Sequence, residues 1–225
     1  MKVDRPSTPI ISQKGFTIIE LMIATLVFSV ILLLVTYGLI QIGRTYIKGL
    51  NESKTQQTAR SIMDTISQDI QFNGGTVRLS DRAAGTFAFC IGGNRYSVLT
   101  GAKLVDNAPA TGEAKHVLVV DVAPIADCNE DPPTSQSLGG VITSESRELL
   151  GPNMRLASLA VCGPGATATF TGCPVLGSNL YQVNVRVVYG DNDLLNPARD
   201  ACAGGAGSQF CAVAELSTTV QKRVR

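Results

Sequence analysis

Between Ile18 and Ile42 the chain holds a single charged side chain, Glu20, in a run that is otherwise mostly apolar. As a helix, about 25 residues rising about 1.5 Å each make about 37 Å, which exceeds the roughly 30 Å hydrocarbon core of a bilayer. The run is longer than the apolar core of about 7–15 residues in a cleaved secretory signal, so it reads as a segment that stays attached and anchors the chain. A carboxylate in such a span costs on the order of 2.5–3.5 kcal/mol at its centre and less near an end, and it calls for a partner. Glu20 closes an ordered string, Lys14, Gly15, Phe16, Thr17, Ile18, Ile19, Glu20, followed by Leu21 and Met22. Residues 1–15 are polar and mildly basic, with Lys2, Arg5 and Lys14 against Asp4, and Pro6 and Pro9 disfavour a helix there. Lys14 keeps that side of the span cytoplasmic under the positive-inside tendency.

A chain of 225 residues exceeds one average domain and falls short of two, which suits one globular domain plus this appendage. Lys and Arg number 19 and Asp and Glu 18, so net charge gives no bulk attraction to nucleic acid, and no clustered basic and aromatic surface is visible. Beyond residue 73 the abundance of Gly, Ser, Thr, Ala and Asn suits short strands and turns. Six cysteines, Cys90, Cys128, Cys162, Cys173, Cys202 and Cys211, all follow the apolar run. An even number on one side of a membrane-type segment points to an oxidising compartment and disulfides. With no CxxC and one histidine, His116, a zinc site is not expected. Six cysteines allow about fifteen pairings. The Gly-rich stretches between Cys162 and Cys173 and between Cys202 and Cys211 favour those local pairs, leaving Cys90 with Cys128.

The helix is expected to continue through residues 43–73, because Ile47, Leu50, Ala59, Ile62, Met63, Ile66 and Ile70 recur at spacings of three and four. Arg44, Lys48, Lys54, Arg60, Asp64 and Asp69 take other faces, and Asn73-Gly74-Gly75 suits the end of the helix. Gly38, Gly43 and Gly49 each weaken it by roughly 1 kcal/mol relative to Ala. From residue 76 to 225 a β-rich domain is expected, with strands at Thr86 to Ile91, Tyr96 to Leu99, His116 to Val122, Met154 to Val161, Leu180 to Tyr189 and Phe210 to Val220. In Leu180 to Tyr189 the side chains of Tyr181, Val183, Val185, Val187 and Tyr189 share one face, which should cover a core. The fold class is therefore α+β, a long N-terminal helix packed on an antiparallel sheet. The segments from Ala123 to Gly140 and Asp191 to Gln209 read as loops.

No catalytic constellation is present. A Ser or Cys nucleophile would need a base, and His116 stands at the start of an apolar strand. Asp191-Asn192-Asp193 offers oxygen ligands but lacks the central glycine and later acidic ligand of a calcium loop, so it reads as a turn. Gly163-Pro164-Gly165 and Gly204-Gly205-Ala206-Gly207 do not fit phosphate-cradling spacing. The chain is not expected to be an enzyme, and no metal or cofactor is expected.

The ordered string from Lys14 to Met22 closely resembles the prepilin signature of type IV pilins and type II secretion pseudopilins. The resemblance covers roughly residues 14 to 40. It implies a pilin-like fold and removal of residues 1–15 by a prepilin peptidase that cuts between Gly15 and Phe16 and methylates the new amino group of Phe16. It also implies an assembly helix over residues 16–42, in which Glu20 pairs with the N-terminal ammonium of a neighbouring subunit. The implied partners are other pilin subunits, the peptidase, an inner-membrane assembly platform and membrane lipid. The implied location is a single-pass anchor in the cytoplasmic membrane, with the C-terminal domain outside, before incorporation into a filament. Gln68-Asp69-Ile70 with Asn73-Gly74-Gly75, the turn Val188-Tyr189-Gly190-Asp191, and the ending Thr218-Thr219-Val220 with Arg223 resemble PilW-type minor pilins and J-type pseudopilins. Those implied roles are a minor pilin at the tip or in priming, or a secretion pseudopilin. The alternative is a signal-anchored extracytoplasmic binding domain that forms no filament.

Overall fold

A computed structural model of the chain describes residues 15–73, 78–83, 86–106, 111–122, 146–164, 176 and 179–223. Among the described residues one α-helix, α1 (Ile18–Phe72), is followed by ten strands, and the chain divides into two compact units, Met1–Arg44 and Thr45–Arg225. The second unit holds every strand. Within it, α1 buries Thr55, Ala59, Ile62, Met63, Ile66 and Ile70, residues three or four apart that form one stripe. The stripe is covered from Thr55 onward, and Leu50 is 52% exposed. The helix stops at Phe72, next to Asn73, whose N–H still donates to the Asp69 carbonyl.

The strands form two sheets where the sequence suggested one. The first runs β1 (Arg78–Ala83), β2 (Thr86–Ile91), β3 (Asn94–Leu99), β6 (Leu118–Val122), β7 (Arg147–Glu148), antiparallel throughout. The second runs β10 (Ala212–Gln221), β9 (Leu180–Tyr189), β8 (Met154–Cys162), β4 (Lys103–Leu104), β5 (Glu113–Ala114), antiparallel except for the parallel β4–β5 pair. The six expected strands correspond to β2, β3, β6, β8, β9 and β10. The two-residue strands β4, β5 and β7 are too short to carry a period, which is why none of them could be read in advance.

Alternation decides which faces meet. Tyr181, Val183, Val185 and Val187 are buried on one face of β9, as expected. They share one core with the α1 stripe and with Phe89, Ile91, Tyr96, Val98 and Leu118 of the first sheet. The hairpin from β2 to β3 turns through Gly92-Gly93. Gly92 sits at φ +61° against the helix end, and a Cβ there would collide with the Asn73 side chain, so only glycine suits this turn.

A polar clamp ties the end of α1 to β3. Tyr96 is fully buried, its ring stacked on Phe89 with centroids 4.8 Å apart, and its hydroxyl donates to Asp69 Oδ2. Asp69 also accepts from Asn94 Nδ2 at 2.7 Å and Asn73 Nδ2 at 2.9 Å. Burial, then the Asp69 carboxylate, pushes the Tyr96 phenol far up, so it stays a donor.

Candidate functional site

Thr17 precedes the first helical residue and Glu20 is the third residue of α1, the spacing of a reciprocal cap. The Thr17 backbone N–H donates to Glu20 Oε2 at 2.9 Å and the Thr17 hydroxyl donates to the same oxygen at 2.8 Å. In return the Glu20 N–H donates to Thr17 Oγ1 at 3.3 Å. Two donors at the helix start are thereby satisfied, and a negative charge in the first turn suits the helix dipole. Glu20 Oε1 accepts no hydrogen bond among the described residues. Half of the carboxylate is committed to its own helix and half is available to another group. Thr17 is the residue that the sequence reading overlooked, although the Thr-x-x-Glu spacing was its signal.

The apolar segment that follows exposes its whole circumference: Phe16 is 89% exposed, and the strongest membrane-type window of α1 has none of its residues buried. Hydroxyls within it turn back on the helix, Thr25 Oγ1 to the Met22 carbonyl at 3.0 Å and Ser29 Oγ to the Thr25 carbonyl at 2.7 Å. That leaves little unsatisfied polarity along the span, as a hydrocarbon environment requires. Gly15 lies in exposed chain just before the helix, outside any helix or strand, and a Cβ there would meet nothing within 4 Å. Its backbone is open to approach.

The other residues singled out by sequence lie elsewhere in the fold. Cys202 and Cys211 are joined to each other, and Cys90 and Cys162 are each in a disulfide with another cysteine. Cys128 and Cys173, and so the pairings expected to involve them, lie outside the described residues. The Cys202–Cys211 bridge closes a loop whose Gln209 carbonyl accepts from Asn51 Nδ2 of α1 at 3.0 Å. Its short loop predicts that Cys202→Ser with Cys211→Ser lowers stability by about 2–3 kcal/mol. Thermal unfolding of the detergent-solubilised chain followed by circular dichroism checks this, and an unchanged midpoint would contradict it.

His116 lies just before β6, with Nδ1 3.6 Å from Glu148 Oε2. Burial, then Lys115, pushes the His116 pKa down. Glu148 is spent on structure, accepting from the backbone N–H groups of Val117, Leu118 and Leu150 at 3.0, 2.9 and 3.2 Å. Burial pushes its carboxyl up despite those donors. Through those backbone donors, rather than through His116, Glu148 fastens β7 to the start of β6. Asp191 stands before a short 3-10 turn, Asn192–Leu194, and the side-chain oxygens of Asp191 and Asn192 are met by side-chain cations. Lys103 Nζ lies 2.9 Å from Asp191 Oδ1, and Arg155 donates to Asn192 Oδ1 at 2.9 Å and to the Gly190 carbonyl at 3.0 Å. Among the described residues no group of three acidic, histidine or cysteine side chains could hold a metal ion.

The Gly15–Glu20 segment is therefore the site whose chemistry is unspent: an accessible glycine, an exposed Phe16, a half-used carboxylate and an uncovered apolar helix. No curated protein and no solved structure matches the chain significantly. Residues 11–36, which contain this site, match the family model of the prokaryotic N-terminal methylation motif.

Proposed function

We propose that the chain is a minor structural subunit of a type IV pilus or of the related secretion pseudopilus. It is inserted as a single-pass protein of the cytoplasmic membrane with its β domain outside. A prepilin peptidase cuts between Gly15 and Phe16 and methylates Phe16, and the subunit then enters a filament through its apolar helix. The observation that carries this reading is Glu20, a lone carboxylate in an otherwise uncharged, fully exposed helical run, set within the matched methylation motif. In a bundle of such helices, pairing of that carboxylate with the Phe16 ammonium of a neighbour neutralises both charges in low dielectric and sets the register. The disulfide-bonded β domain is then the part displayed to the oxidising exterior. A place at the tip or in priming rests on the sequence likeness to PilW-type and J-type subunits. Immunolabelling of filaments sheared from cells tests the reading: the chain is expected in the filament fraction, and its confinement to membranes would overturn it.

A further inference from the structure

At the edge of the first sheet, α1 leaves a groove of about 510 Å³, bounded by Thr65, Gln68 and Asp69 on the helix and by β3, β6 and β7. Register fixes its far wall: Asn94 pairs with Val122, and Tyr96 with Val120, which pairs in turn with Arg147, so these side chains stand on the face that α1 covers. We propose that this groove binds an acidic peptide segment of a partner protein, with one Asp or Glu side chain held by Arg147.

The carboxylates of the groove are already satisfied. Asp69 accepts from Tyr96, Asn94 and Asn73, and Asp121 is bound by Arg95 Nε at 3.2 Å and Nη2 at 2.5 Å. A cation or metal therefore finds no free ligand set here. The unspent groups are donors and one acceptor: the exposed Arg147 guanidinium pairs with no carboxylate among the described residues, and Gln68 and Asn94 Oδ1 make no hydrogen bond there. A planar fork with its donors free matches one carboxylate. A carboxamide and a free amide oxygen suit the N–H and C=O groups of an extended peptide. Val120 and Val122, the latter 70% exposed, give the aliphatic part of an acidic side chain an apolar wall. Among the described residues the lining holds no aromatic side chain and the neighbouring Tyr96 is fully buried, so they offer no platform for a sugar ring, and Arg147 as their one unpaired cation is too little for a polyanion.

Fluorescence anisotropy on the full chain in nonionic detergent tests this with a labelled peptide of alternating Glu and Ala. Its counterpart with Gln for Glu and an oligogalacturonate serve as comparisons. The Glu peptide is expected to bind saturably and to weaken with salt, with the Gln peptide and the oligogalacturonate each at least about tenfold weaker. Arg147→Ala is expected to lose about tenfold or more, with Arg147→Lys recovering part of it. Because Arg147 is exposed, an unchanged thermal midpoint shows that the variant is folded. Absence of binding, equal binding of the Glu and Gln peptides, or full binding by folded Arg147→Ala overturns the proposal. Tighter binding of oligogalacturonate also overturns it, in favour of a glycan.

Discussion

Glu20→Ala is expected to remove the chain from filaments while leaving it in the membrane. On the proposed reading, the variant leaves the neighbour's ammonium unpaired in a low-dielectric bundle, a loss of about 3–5 kcal/mol when one partner of a buried pair is removed. That is about a hundredfold or more in incorporation, since about 1.4 kcal/mol is tenfold. Insertion should not suffer, because a charge that costs free energy in lipid has been taken away. The cap geometry complicates the alanine variant, since Glu20 Oε2 also accepts from the Thr17 N–H and hydroxyl. Losing that cap frays the first turn by about 1 kcal/mol. Glu20→Gln separates the two effects: Gln serves the reciprocal cap but carries no charge. Quantitative immunoblotting of sheared filaments against membranes should show both variants absent from filaments. Assembly of the Gln variant at the native level would mean that Glu20 acts only as a cap.

Arg155→Ala is expected to be the most damaging substitution in the β domain. Arg155 is fully buried in β8, and burial, more than its cationic neighbour Arg199, pulls its pKa down. It holds Asn192 and the Gly190 carbonyl, while Lys103 beside it bridges Asp191 and Glu113, each at 2.9 Å. Truncation leaves two acceptors without donors and a cavity under the turn that leads into the disulfide loop. The cost is about 3–5 kcal/mol. For a chain of this size that lowers the thermal midpoint by about 6–20 °C. Arg155→Met, which keeps the volume, should cost less, because an apolar side chain of similar size can replace a buried charge. Circular dichroism melts of the three proteins in the same detergent check the order. A midpoint for the Ala variant equal to that of the parent would contradict the clamp.

These two residues also mark what could be read from sequence. Glu20 stood out because a lone charge in an apolar run is anomalous on any scale, and the α1 stripe and the β9 alternation stood out because each repeats over several turns or pleats. Arg155 did not. An arginine between Met154 and Leu156 reads as the solvent-facing member of an alternating strand, yet here all three are buried. Its acceptor in the Asn192 side chain lies 37 residues away, and the Lys103–Asp191 contact spans 88. No local pattern reports such pairings, so Asp191-Asn192-Asp193 could be read as a turn but not as a turn held by Lys103 and Arg155. The short strands β4, β5 and β7 were hidden for a related reason: each exists through its pairing partners rather than through any periodicity of its own.

On the proposed reading, Gly15 is the processing site and Phe16 the first residue of the working subunit. Mass spectrometry of the N-terminal peptide of the chain recovered from membranes and filaments tests it most directly. The expected peptide begins at Phe16 with one added methyl group on its amino nitrogen. A chain that still begins at Met1, or a cut at any other bond, would contradict it.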